Sequence, residues 1–248
     1  MSLKLKGWNI LAGILLNSIY AMKNYPIVMV NTVLAPFSFL IVITFVSRGQ
    51  LIGEAIEGGL IMSMFQAGMS LQGDLAHYKN DFKLQDMIVS TPTTSSAYVT
   101  GMALAELIYS LPAIAVLVVL TAIDIHPSAF EALQLLAVLL LMFLASVTLG
   151  FTLSTFSSDI IQSFAFSRLI STLFSTLPPV YYPITYIPLP YRYAAYLSPT
   201  TYAAEIAQGA SGMINLSFSS AAIAWVVLVA VSAALFVISA KKARWRDV

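Results

Sequence analysis

Between residues 160 and 180 the chain places a serine at every fourth position, Ser163, Ser167, Ser171 and Ser175, with Arg168, Thr172 and Thr176 beside them. Residues four apart lie above one another on a helix, so this spacing makes one face hydroxyl-lined. Two kinds of chemistry suit such a face. Hydroxyls can solvate a polar group in transit along a substrate path, and small residues also let two helices approach closely. Spacing alone leaves both open. Arg168 is the cation of this stretch, and Glu106 sits at similar depth in another apolar run. Ionisable groups at membrane depth are costly, so the two are expected to pair as a structural ion pair near an inner gate. Cysteine-based chemistry is excluded, because there is no cysteine. The two histidines, His77 and His126, fall on opposite faces of the layout below, so no histidine metal site or base is indicated.

What positions these residues follows from composition. The chain has 248 residues, 59% hydrophobic and only 9% charged, with a mean hydropathy of +0.86. A soluble domain carries roughly a quarter charged residues to cover its surface, so this is an integral membrane protein. A net charge of +1 gives no case for nucleic acid. A bilayer core of about 30 Å needs about 20 apolar residues of helix. Six runs meet that need, at 25–46, 55–73, 98–123, 130–155, 160–180 and 220–240, in a single all-α domain covering residues 1–248. The second run is the least apolar, with Glu57 and Gln66; Glu54 and Glu57 begin it, where a helix N-terminus favours carboxylates. Ala55, Gly59, Ser63 and Ala67 give it a small-residue packing face.

Six spans put both termini on one side. Lys4, Lys6, Lys23, Lys79, Lys83, Lys241, Lys242, Arg244 and Arg246 crowd that side, which the positive-inside rule makes cytoplasmic, in a multi-pass protein of the plasma membrane. Residues 1–24 read as a retained interfacial helix, with Leu5, Trp8, Ala12, Leu15, Ile19 and Met22 on one stripe. Lys6, Asn9, Gly13, Asn17, Tyr20 and Asn24 fall opposite. The longest polar stretch, Asp74 to Thr100, lies between two spans on the cytoplasmic side. A short helix is expected there from about Tyr78 to Val89, stopped by Ser90-Thr91-Pro92. Held at the membrane surface, a helix over 78–92 makes a handle that a soluble partner can grip; an ordinary solvated loop helix fits the spacing as well. Segment 181–209 is broken by Pro183, Pro188, Pro190 and Pro199 and rich in tyrosine. It is expected to form short helices dipping back into the outer leaflet, with Tyr181, Tyr182 and Tyr186 as an outer cap.

Three stretches in order resemble the permease subunits of ABC-2-type transporters, of the drug-resistance (daunorubicin-resistance-like) kind with the type V exporter fold. They are Lys23-Asn-Tyr-Pro26 leading to Pro36; Leu84-Gln-Asp-Met-Ile-Val-Ser-Thr-Pro92 followed by Gly101; and Tyr182-Pro183, Ile187-Pro188 and Ser198-Pro199-Thr-Thr-Tyr-Ala-Ala-Glu205. The resemblance implies that residues 1–24 are the family's connecting helix and 78–92 its coupling helix. It also implies a second copy or a similar permease as partner, and cytoplasmic ABC ATPase subunits that bind ATP and Mg. Phe82, Leu84, Asp86, Met87 and Ile88 are the expected docking residues, the apolar ones filling a groove and Asp86 pairing at its rim. No glycine here is followed by lysine, so the phosphate-cradling loop is absent, no cofactor is expected on this chain, and the energy source must be another chain. The expectation is an exporter of an amphipathic, lipid-like or drug-like solute, a transport subunit with no enzymatic activity of its own. Two alternatives are a polytopic lipid-modifying enzyme, which Glu106 and Arg168 equip poorly, and an ATP-independent channel or scaffold.

Overall fold

The computed structural model describes residues 3–80, 83, 94–157, 159–176 and 178–242, and all regular structure among them is helical. The chain enters through α1 (Leu3–Ile14), a π turn (Leu15–Ile19) and α2 (Tyr20–Asn24). Five long helices follow: α3 (Pro26–Val46), α4 (Ile52–Asn80), α5 (Ser95–Leu120), α6 (Ala129–Phe156) and α7 (Ile160–Thr176). A 3-10 turn (Ile184–Tyr186), α8 (Arg192–Ala195) and α9 (Pro199–Ala210) lead to α10 (Phe218–Lys242). Local chemistry sets the boundaries. Ser128 and Glu131 form a capping box that starts α6, and Thr94 accepts the Ala97 amide to start α5. Pro26 opens α3, where its missing N–H costs nothing.

Helices α5 with its π extension, α6 and α10 are each long and apolar enough to cross a membrane. Helix α4 is long but less apolar, and its position explains why. It packs against α3, α5, α6, α7 and α9 and is buried almost throughout from Glu54 to Ala76. A helix surrounded by protein does not have to dissolve in lipid, so it carries Glu57 and Gln72, which bond to Ser211 and Ser163 of neighbouring elements, and Ser63, which donates to the Gly59 carbonyl of α4 itself. Small residues bring those neighbours close. A Cβ on Gly68 would lie 1.9 Å from the Ser146 hydroxyl oxygen and 2.6 Å from the Val147 backbone nitrogen; one on Gly150 would lie 2.8 Å from the Gly68 carbonyl oxygen. Ser146 Oγ also donates to the carbonyls of Phe143 (2.9 Å) and Met64 (3.4 Å), the second across the α4–α6 seam.

Two expectations need correction. Tyr78, Lys79 and Asn80 belong to the end of α4, and Lys83 has a φ of 49°, a left-handed conformation that interrupts a helix. A continuous helix from Tyr78 to Val89 is therefore ruled out at its start; Phe82, Leu84, Asp86, Met87 and Ile88 lie outside the described residues. The fifth run ends as a helix at Thr176 and does not reach residue 180, because Pro178-Pro179 cannot continue it. The entry helix docks through the side that carries Gly13 and Asn17. Trp8, Leu15 and Ile19 are exposed, while Gly13 and Asn17 face the protein: a Cβ on Gly13 would meet the Gly101 backbone at 3.4 Å. Asn17 donates to Met102 Sδ (3.0 Å) and accepts from the Tyr78 hydroxyl. The polar side is a docking face because an amide can satisfy its bonds there while the apolar stripe is left for lipid.

Candidate functional site

A cavity of about 290 Å³ lies between α3, α4 and α5. Its polar wall comes from α4, through Ser63, Gln66 and Ser70, and from α5, through Glu106, Tyr109 and Ser110. Pro36 and Phe39 of α3, Met62 of α4 and Tyr181 supply the apolar wall. The spacing explains the polar stripe: Gln66 and Ser70 are four apart, and Glu106, Tyr109 and Ser110 three and four apart, so each set shares a helix face. Glu106 is buried, accepts a hydrogen bond from Ser70 Oγ, and meets the carboxyl group of Asp74. Gln66 is exposed, so the cavity reaches the surface there, and its Oε1 accepts from Ser171 of α7 (3.4 Å).

The outer segment closes this cavity at one end. Tyr181 is buried and stacks on Phe39, with ring centroids 5.1 Å apart. It reaches that position because Gly58 of α4 has no side chain; a Cβ there would lie 2.4 Å from the Val180 carbonyl oxygen. Tyr182 is half-buried and Tyr186 exposed, and both border a second hollow beside Ser47 and Gln50. Of the three tyrosines read as a cap, only Tyr181 lines the inner cavity. Ser211 Oγ donates to Glu57 of α4, while within the segment Gln208 Nε2 donates to the Val180 carbonyl (3.4 Å) and Arg192 to the carbonyls of Thr185 and Ile187 (3.1 Å each). The Tyr196 hydroxyl donates to Glu205 (2.9 Å). Burial pushes the Glu205 carboxyl above its ordinary value, against the opposing pull of Tyr196 and Arg192, and pushes Tyr196 up to about 12.

The hydroxyl ladder of α7 divides. Ser163 is fully buried, donates to the Gln72 carbonyl (3.3 Å) and accepts on its own carbonyl from Gln72 Nε2 (2.9 Å). Packing therefore claims Ser163, which is withdrawn from the candidate path. Ser167 is half-buried and Ser171 reaches Gln66, whereas Arg168 and Thr172 are exposed. Ser175 and Thr176 lie in the last turn of α7. The expected Glu106–Arg168 pair is not formed: Glu106 is occupied by Ser70 and Asp74, and no ion pair joins it to Arg168 among the described residues. Position on the same depth was not enough, because the two side chains leave different helices on different faces. Neutralising both, as E106Q and R168Q, should give effects on thermal stability that add to within about 0.5 kcal/mol in a double-mutant cycle. A larger coupling would restore the pair.

The polar stripe of the cavity was missed in the sequence, although the i, i+3 and i, i+4 spacing of Gln66/Ser70 and of Glu106/Tyr109/Ser110 was available to find it. The polar stripe, buried at Ser63, Glu106 and Ser110 and exposed at Gln66 and Ser70, thus lies in an otherwise apolar bundle beside the proline-broken outer segment. The sequence model of one family, described as ABC-2 type transporter, matches residues 10–211. The chain belongs to the ABC-2 type transporter family. Compared with curated proteins one by one, it matches none. The chain is thus a membrane-embedded permease component of an ABC transporter, and a permease of this family works with an ATPase partner.

On the other end of the permease, three elements brace the tip of α4. Tyr78 bonds to Asn17 of the entry helix, Lys79 Nζ donates to the Thr155 carbonyl at the end of α6 (3.3 Å), and Asn17 reaches Met102 on α5. The residues between α4 and α5 thus leave from a braced platform and re-enter at the Thr94 cap.

Proposed function

We propose that the permease is the membrane half of an ABC exporter in the plasma membrane, with α3, α4, α5, α6, α7 and α10 as six spans and both termini in the cytoplasm. A separate ATPase grips a coupling segment within residues 82–92, through Phe82, Leu84, Asp86, Met87 and Ile88, and supplies ATP-driven force. The permease pairs with a second copy or a similar chain, and an amphipathic or lipid-like solute leaves along the hydroxyl-bearing stretch of α7 that contains Ser167, Arg168, Ser171, Thr172, Ser175 and Thr176.

The observation that carries this reading is α4. It is 29 residues long, or roughly 43 Å at about 1.5 Å per residue. One end is braced at the segment an ATPase would hold; the other contacts Val180 and Ser211 of the outer segment. A buried helix in contact with five others moves them when it is moved, because close-packed interiors transmit displacement. Purifying the tagged chain under mild conditions should bring with it a chain that bears a phosphate-cradling loop. Inside-out vesicles containing both should accumulate a fluorescent long-chain amphipath only with ATP. Full-rate accumulation by the permease alone, without nucleotide, would overturn the reading.

A further inference from the structure

Several polar groups on the wall of the cavity between α3, α4 and α5 have part of their hydrogen-bonding capacity committed, and the remainder limits what the cavity can hold. Ser63 Oγ donates to the Gly59 carbonyl (2.7 Å) and Ser70 Oγ donates to Glu106, so each serine keeps only lone pairs for a ligand. Between them on the same face, Gln66 Oε1 accepts from Ser171, which leaves the amide NH2 as a donor. Acceptor, donor and acceptor therefore alternate along α4 at i, i+3 and i+7, in steps of roughly 4.5–6 Å at about 1.5 Å per residue. Across the cavity the Tyr109 hydroxyl can both donate and accept. Among the described residues no lysine, arginine or aspartate lines the space, and Glu106 is the single carboxyl group on its wall. A carboxyl group accepts from a hydroxyl when ionised and donates to one when protonated, so a hydroxyl suits Glu106 in either state. An ammonium has only donors to offer and a carboxylate only acceptors, so neither matches a wall that presents both.

We propose that this cavity binds an uncharged polyol head group, a glycerol or a sugar ring, carried on an apolar tail. Its hydroxyls donate to Ser63 and Ser70, accept from the Gln66 amide, and pair with Glu106 and Tyr109 on the opposite wall. The C–H faces of the polyol pack on Met62 and on Phe39 and Tyr181, whose rings stack 5.1 Å apart. Small-molecule sites span about 300–1,000 Å³. At about 290 Å³ this one takes a head group and leaves the tail outside. Gln66 and Ser70 mark the way out, since both line the cavity and are exposed. Gln66 also holds Ser171, so the opening lies beside the hydroxyl-bearing helix α7. That the polyol heads the transported solute rests on the exporter reading; binding itself is a property of this chain.

The test is thermal unfolding of the purified full chain in phosphatidylcholine nanodiscs, with neither ATPase nor nucleotide present. The probes are octylglycerol and octyl glucoside, set against octanol, octylammonium and octanoate, which share the tail and differ in the head. At least one polyol probe should raise the melting temperature with a saturable midpoint, the pair telling a glycerol head from a sugar ring; the other three should not. Gln66→Leu should weaken that midpoint about five- to tenfold, the scale of one lost hydrogen bond. Glu106→Leu should do the same, whereas Glu106→Gln, which keeps a donor and an acceptor, should stay within about threefold of wild type. Gln66 is exposed, so its variant keeps the test valid should Glu106→Leu not fold. No shift with either polyol probe, an equal shift with octanol or octylammonium, or an unchanged midpoint in Gln66→Leu would overturn the proposal and leave ATP-dependent export untouched. Polyol binding without ATP-dependent accumulation would overturn export alone.

Discussion

Gly68→Ala should lower the melting temperature of the purified permease by about 10 °C. The added methyl would sit 1.9 Å from Ser146 Oγ and 2.6 Å from the backbone nitrogen of Val147. A flexible side chain can swing aside, but the second contact is backbone, so α4 and α6 must separate. Overpacking of this kind costs about 1–3 kcal/mol, and each kcal/mol is worth about 2–4 °C in a chain of this size. The cost falls at the upper end because the separation is not local. Gly150 stacks on the Gly68 carbonyl, and Ser146 would lose its contact with Met64. Adding Ser146→Ala should recover only part of the loss, since the Ser146 Cβ (2.7 Å) and the Val147 nitrogen still obstruct. Gly150→Ala should cost less, its nearest atom being 2.8 Å away. Wild-type melting of the Gly68→Ala protein would show that α4 and α6 do not meet at this height.

The second large effect concerns function without folding. Replacing Leu84, Met87 and Ile88 with alanine, or Asp86 with lysine, should reduce recovery of the ATPase about tenfold or more, as loss of a docking anchor does. ATP-dependent accumulation should fall in parallel. The melting temperature should stay within a degree or two, because the braces at the end of α4, Tyr78–Asn17 and Lys79–Thr155, do not involve these residues. Gly58→Val is the informative contrast. It should leave ATPase recovery intact yet abolish transport, because its side chain collides with the Val180 carbonyl and displaces Tyr181 from the cavity. Variants at 84–88 that transport normally would remove the coupling role from this segment.

The two predictions separate what each level of description contributes. Composition and run length were enough to establish a helical membrane protein, and the ordered motifs around Pro26, Pro92 and Pro199 were enough to place it in its family, because bilayer thickness and proline geometry act locally along the chain. Capping at Ser128 and the stop at Pro178-Pro179 are equally local, though the fifth run was read to residue 180, four residues beyond the helix end at Thr176. Which polar residues meet was a different matter. Glu106 and Arg168 looked like partners by depth, yet Glu106 turns to Ser70 and Asp74; Ser163 looked like a path residue, yet Gln72 holds it in a seam. Depth is a one-dimensional coordinate that spacing supplies, whereas the direction in which a helix face points depends on how neighbouring helices rotate to pack. The low hydropathy of α4 could be read from its residues, but only packing on all sides made it the central helix, and only Gly58 and Gly68, set against the Val180 carbonyl and the Val147 nitrogen, decided how close the outer segment and α6 come.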